Sequence, residues 1–324
     1  MRLLWSPPPG DVPRDGLTIL QPVPCNYLQR TFLHCLFPLC FFVQSETHPL
    51  PRPQKLEAFQ LEVSEHRLFP GDVLYLAIKA DKTIQHAEAS LAGRKVVFYP
   101  RAGGLSWVGL AGIDLETKVG RYTLNGTVSL EGRAPQTFAR SLSVAPKSFP
   151  VQRISVEEKY VTLSPEDSKR AEEENKRLET LWQTDSISKL WQGPFLKPVA
   201  SDLTSGFGRR RIVNNKPRNP HSGVDLKADT GTPILAANSG RVALAEDLFF
   251  SGNTVVLDHG QGLYTFYGHC SKLFVSRDDL VKKGEIIAEV GSSGRVTGPH
   301  LHWACRISGA RVDPIKLTKV LLND

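Results

Sequence analysis

Thr297-Gly-Pro-His300-Leu-His302-Trp303 is the stretch on which the reading of this chain turns. On a β-strand, side chains at i and i+2 share a face. His300 and His302 therefore present two imidazoles to one side, while Leu301 and Trp303 face apolar packing on the other. Upstream, Leu263-Tyr-Thr-Phe-Tyr-Gly-His269 sets a third histidine at the end of a strand-like run. The run Thr254–Asp258 precedes it, with Gly260 and Gly262 between, so the two runs read as a hairpin. Further upstream, His221-Ser-Gly-Val-Asp225 offers one nitrogen and one oxygen donor at the entrance to a strand. Neither short motif says much alone, but together they put His, Asp, His, His and His into one β-rich region. Neutral imidazole and carboxylate suit zinc, held by three protein ligands with a fourth position open. Zinc there polarises a carbonyl and activates water. Two histidines remain to orient the water and stabilise an oxyanion.

As a set, His221-xxx-Asp225, Tyr267-Gly-His269 and Gly298-Pro-His300-Leu-His302 resemble the motifs of the LytM/lysostaphin-type zinc metallopeptidases. Val281-Lys-Lys-Gly284 through Gly291-Ser-Ser-Gly294 is similar to that family's glycine-punctuated approach to the HxH strand. The resemblance covers roughly residues 203–315, in the right order and spacing. It implies that His221, Asp225 and His302 hold one zinc ion per catalytic domain. It implies that His269 and His300 are the catalytic pair. It also implies a mainly β fold, the family's duplicated hybrid motif, with a groove over one antiparallel sheet. The activity implied is that of a zinc metalloendopeptidase, a hydrolase of peptidoglycan cross-bridges. Some family members lack metal ligands and act as amidase activators, so the alternative is a non-enzymatic zinc-binding cell-wall binder or amidase regulator. All five positions are kept here, which a pure binder would not need. Two departures stand out. Cys270 takes the place where the family often has Leu, and loop 209–220 lacks the tyrosine that some lysostaphin-like enzymes carry ahead of the first ligand. Glycyl-glycine specificity is therefore not transferred.

Other residues near these motifs have plainer readings. Arg211 and Arg218, in the basic loop Arg209–Pro220, are candidates to bind stem-peptide carboxylates, against the ordinary reading of solvated surface charge. His259 falls in the hairpin turn and reads as structural. Tyr264 and Tyr267 read as hairpin packing. Cys270 follows His269 by one and Cys305 follows His302 by three, so both thiols point away from the metal face. They are a possible disulfide, the alternative being two buried free thiols.

Outward from the catalytic region, residues 201–324 form the expected peptidase domain. Residues 147–200 read as an exposed helical linker, with Ser164-Pro165-Glu166-Asp167 as a helix start. Residues 55–146 carry short β runs separated by Pro-Gly, Gly-Gly and Glu-Gly turns, and suggest an Ig-like β-sandwich acting as a spacer or docking module. A linker, 46–54, precedes it. Phe32–Val43 is a short apolar run with Arg30 before it and Ser45 after it, the pattern of a signal peptide within an N-terminal extension, 1–45.

Composition agrees with a folded, exported protein. Of 324 residues, 40% are hydrophobic and 23% charged, enough to build a core. The formal charge of +7 suits an acidic surface without demanding one. No apolar run reaches 18 residues, so no integral membrane span is expected, and no motif points to nucleic acid. Three of five cysteines lie in the N-terminal extension, which fits export, and a signal-like run with no obvious wall-binding module suggests the periplasm rather than an extracellular location. A lipoyl-like carrier, suggested by Val-Lys-Lys-Gly, is excluded because no lysine sits at the tip of a symmetric hairpin.

Overall fold

Alternation of apolar and polar side chains sets the strands of the N-terminal region. In Val73–Ala80, Leu74, Leu76 and Ile78 are fully buried at every second position. The computed structural model describes residues 58–154, 163–184, 186 and 188–320. The apolar run Phe32–Val43 lies outside them, as does the side chain of Arg211.

The first β unit comprises β1 (Phe59–Val63), β2 (Arg67–Leu68), β3 (Val73–Ala80), β4 (Ile84–Leu91), β5 (Arg94–Pro100), β6 (Ser106–Gly112), β7 (Gly120–Leu130) and β8 (Gln136–Val144). Hydrogen bonding runs in the order β1-β3-β6-β5-β4-β7-β8-β2, antiparallel except between β2 and β8. The expected β-rich unit is there, but as one continuous eight-stranded ladder.

Next come β9 (Val151–Ile154) and α1 (Pro165–Trp182). Ser164 caps α1: its Oγ accepts from the Asp167 N–H at 3.0 Å, and Pro165 opens the first turn. Most of α1 is exposed, and its buried residues form one narrow stripe. Ala171, Glu174 and Trp182 are buried, a stripe at near-helical spacing hidden among charges. Glu174 is buried because both oxygens are used: Oε1 accepts from Arg170 Nε and Oε2 from the Phe249 N–H, each at 2.7 Å. Trp182 packs edge-on against Tyr264, centroids 5.5 Å apart.

The C-terminal region holds β10 (Leu203–Ser205), β11 (Arg210–Val213), β12 (Lys216–Pro217), β13 (Gly223–Lys227), β14 (Pro233–Leu235), β15 (Gly240–Leu248), β16 (Gly252–Asp258), β17 (Leu263–Leu273), β18 (Leu280–Val281), β19 (Ile286–Val290), β20 (His300–Ile307), β21 (Ala310–Val312) and the short α2 (Pro314–Leu317). The main ladder runs β10-β13-β20-β17-β16-β15-β18, with β14, β19 and β21 attached at its side. β16 and β17 form the expected hairpin.

Residues 55–324 form one unit, because the two β regions share a core. Ala77, Tyr99, Val108, Leu110 and Leu115 join the same buried cluster as Trp191, Phe195, Ile307 and Val312. Tyr99 meets Trp191 edge-on at 5.2 Å. Gly112 on β6 is required where the regions touch: a Cβ there would lie 2.8 Å from Val312 Cγ1. Asp114 adds a polar clasp, its Oδ1 2.6 Å from Arg311 Nη2 and its Oδ2 accepting from Arg311 Nε at 3.0 Å.

Candidate active site and metal centre

Three neighbouring strands place the site. In the β13–β20 ladder Asp225 stands directly opposite His302, and in the β20–β17 ladder His302 stands opposite Gly268. His300 lies two residues from His302 on β20, hence on the same face, while Leu301 and Trp303 are fully buried behind. His221 comes from the loop before β13. That loop is pinned by the His221 N–H donating to the Arg209 carbonyl and the Gly208 N–H donating to the His221 carbonyl.

His269 reaches the groove through an irregularity. Cys270 pairs with Asn253 and Tyr267 with Val255, so Gly268 and His269 together oppose Thr254. This is a β-bulge, and the extra residue flips the alternation of the strand. His269 itself has a left-handed backbone, φ +66°. Without the bulge its side chain would face away from Phe266 and into the core; with it, the imidazole joins His300, centroids 4.9 Å apart.

The donor atoms converge. His221 Nε2 lies 2.9 Å from His302 Nδ1, and Asp225 Oδ1 lies 3.0 Å from each. Hydrogen bonds on the far side of the rings fix which nitrogen carries a lone pair. His221 Nδ1 donates to the Gly206 carbonyl at 3.1 Å, leaving Nε2 unprotonated toward the triangle. His269 Nδ1 donates to the Ser293 carbonyl at 3.0 Å, and His300 Nδ1 to the Gly298 carbonyl at 2.9 Å. Both rings thus turn an Nε2 lone pair outward from these bonds, and His300 Nε2 lies 3.7 Å from Asp225 Oδ1.

Electrostatics match this arrangement. Burial opposes charge on Asp225, but hydrogen bonds from His221 and His302 prevail and hold its carboxyl far below the usual range. Burial also pushes His302 down, against the pull of Asp225. His269 falls to about 3, chiefly from burial and then from the neighbouring His302. Burial thus favours the neutral form of His302 and His269, the form that binds metals and accepts protons.

A groove of about 1440 Å³ runs past the five residues, and Arg218 lines it. Sequence reasoning missed several other walls: Leu178, Glu179 and Trp182 of α1, Phe250 and Arg295 at the rim, and Arg306 on β20. Arg306 was within reach, since it shares the even-numbered face of His300 and His302. The α1 residues had no such signal. His259 stands outside the groove, fully buried, its Nδ1 donating to the Ser239 carbonyl at 2.8 Å. Tyr267 is fully buried, its hydroxyl accepting from the Ala237 N–H at 2.9 Å, and burial pushes that hydroxyl above its usual range.

The disulfide expectation is overturned: Cys270 and Cys305 are free, buried thiols. Cys305 pairs with Thr265 in the β17–β20 ladder, and Cys270 lies five residues further along β17. That is about 16 Å of strand, more than twice the roughly 7 Å Cα separation a disulfide can span. Burial raises the Cys270 thiol to about 12 and the Cys305 thiol beyond it.

The same region stands out in comparison with known proteins. Residues 219–314 match the model of Peptidase family M23, a span that contains all five converging side chains. Peptidoglycan DD-endopeptidase ShyA of Vibrio cholerae is 36% identical over 135 residues, 41% of this chain and 31% of the relative. DD-carboxypeptidase/endopeptidase Mpg of Neisseria meningitidis is 37% identical over 119 residues, 37% of this chain and 27% of that protein. The match thus spans about three tenths of the length of these curated relatives. The solved structure of a putative peptidase M23 from Pseudomonas aeruginosa extends the likeness to the N-terminal β unit. It is 31% identical with a TM-score of 0.60, covering 77% of this chain and 94% of that one. With motif, geometry and most of the fold in agreement, this chain belongs to peptidase family M23.

Proposed function

We propose that the protein is an exported, zinc-dependent murein endopeptidase that hydrolyses the peptide cross-bridges of peptidoglycan in the periplasm. The observation that carries this reading is the convergence, on one groove floor, of the His221, Asp225 and His302 donor atoms beside two further imidazoles, His269 and His300. The donor set fits zinc in number and type. Its edges of 2.9–3.0 Å are close to the roughly 3.3 Å expected for ligands on a tetrahedral ion at 2.0–2.1 Å. Zinc, when bound, supplies Lewis acidity toward a peptide carbonyl and acidifies a water.

The chain's own groups do the remaining work. Asp225 stays ionised and orients His302. His269 and His300 each spend the Nδ1 proton on a backbone carbonyl, so each offers Nε2 to accept a proton from an attacking water. Once protonated, the same Nε2–H stabilises the developing oxyanion or passes the proton to the leaving amine. The likeness to the peptidoglycan DD-endopeptidase ShyA supports peptidoglycan as substrate, and the likeness to the DD-carboxypeptidase/endopeptidase Mpg supports peptide-bond cleavage. A substrate outside the inner membrane also fits the signal-like run Phe32–Val43.

The test is digestion of purified peptidoglycan by the chain from Glu46, with muropeptides read by mass spectrometry. Cross-linked species should fall, and a chelator should stop it. Asp225→Asn should lose bound zinc and at least about 100-fold of the activity, whereas His300→Ala should keep zinc and lose about 100-fold or more. Stoichiometric zinc without cleavage would transfer the protein to the alternative class, a cell-wall binder or amidase regulator.

A further inference from the structure

The groove does not end at the metal triangle. On β20 the groove-facing side chains are His300, His302, Ala304 and Arg306. Arg306 lies directly opposite Tyr264 of β17, as Ala304 lies opposite Phe266. Beyond them α1 closes this end, with Trp182 against Tyr264. The Arg306 guanidinium rests over the Trp182 ring, 5.5 Å from its centroid.

This cation has company but, among the described residues, no ionic partner. Arg311, facing it across the β20–β21 ladder, is a second positive charge, and it is itself taken by Asp114 and Glu116 at 2.6 Å each. Glu179 and Asp114 attract Arg306, yet among the described residues no carboxylate stands within ion-pair distance of it. Burial lowers its pKa to about 10, the mark of a guanidinium taken partly out of water. A desolvated cation without a counter-charge is costly. The cost is offset when a ligand brings the anion. The planar fork, with its face on an indole, leaves edge N–H groups to pair with a carboxylate bidentately.

We propose that Arg306, held by Trp182, is a specificity-determining residue that binds a free carboxylate of the substrate about 13 Å, four strand residues, from the metal triangle. This rests on the peptidase reading above and deepens it: the groove selects an anionic peptide that extends from the scissile bond toward α1. An extended peptide covers that distance in about four residues. The helix in the segment read as a linker is then part of the substrate groove.

Binding tests this apart from turnover. The probes are a fluorescently labelled disaccharide–tetrapeptide muropeptide with free carboxylates and its carboxamide counterpart. Both are titrated into the full chain carrying His300→Ala, by anisotropy. The acid should bind about tenfold tighter than the amide. Arg306→Gln should erase that preference, and Arg306→Lys should retain part of it. Thermal melts check that each variant is folded, and the lysine variant stands in if the glutamine variant is not. Equal affinity for acid and amide, no binding of either, or a preference that survives Arg306→Gln overturns the proposal. An acid preference that Arg306→Gln removes, in a protein that cleaves no peptidoglycan, would instead keep the subsite and remove the peptidase reading.

Discussion

His259 takes no part in the groove, yet, like His269, it adds to the acid response of the fold. Burial lowers its pKa from 6.5 to about 4. Below pH 6.5 the unfolded chain binds a proton that the folded chain refuses, so stability falls as pH drops from about 6.5 toward about 4. The total is on the order of 3 kcal/mol, and no change is expected from this group above pH 7. Urea midpoints at pH 7.5, 6, 5 and 4.5 should show that slope, and His259→Gln should make it shallower even though it weakens the protein overall. A slope unchanged by the substitution would mean that other groups set the acid response. At this scale the sequence is informative because the five site residues are chemically distinctive and their spacing obeys strand parity. The cysteines were harder. Parity put both thiols on the correct side of the sheet, but only the register of β17 against β20 shows how far apart they stand.

Among the elements, the bulge in β17 decides whether His269 meets His300 in the groove. It is braced from β16: Gly252 has φ +60°, and a Cβ there would come 2.2 Å from Ser293 Oγ and 2.5 Å from the Gly294 nitrogen. Ser293 is the residue whose carbonyl accepts from His269 Nδ1. Gly252→Ala must therefore displace the Ser293 loop and the imidazole it holds, while leaving β13 and β20 intact. The expected outcome is full zinc content with activity down by about 100-fold, since a shift near 1 Å suffices. Zinc analysis beside a cleavage assay separates this from loss of the metal site. A bulge is a register event between two strands, so His269 could be singled out as a histidine at a strand end but not as one re-aimed by an extra residue. The helix shows the same limit. Its cap at Ser164 was legible from local chemistry, but its docking rests on Glu174 meeting the Phe249 N–H and Trp182 meeting Tyr264, each more than seventy residues away.

For the whole molecule, the Asp114–Arg311 clasp and the shared core make the two β regions one thermodynamic body. Burial opposes charge on Asp114, but hydrogen bonds led by Arg311 lower its carboxyl from 3.8 to about 2. Its contribution is present above pH 4 and is lost as pH falls toward 2. Arg311→Met, which leaves Asp114 with Arg94 at 3.9 Å as its remaining cation among the described residues, should cost about 2 kcal/mol, and adding Asp114→Leu should recover part of it. Calorimetry should find one unfolding transition in the parent chain. Two resolved transitions would show that the regions fold separately. The strands of both regions were largely legible from alternation, but their union was not. It depends on Gly112, Tyr99 and Trp191 meeting residues from the other end of the chain.

That union bears on how such a protein is controlled. Severing the backbone between Lys147 and Ala200 would not set a catalytic fragment free, because Tyr99, Leu110 and Leu115 would still be buried against the C-terminal region. A nicked sample should run through gel filtration as a single species and part only in denaturant. Zymogen-style activation by a cut between the two β regions is closed to this architecture.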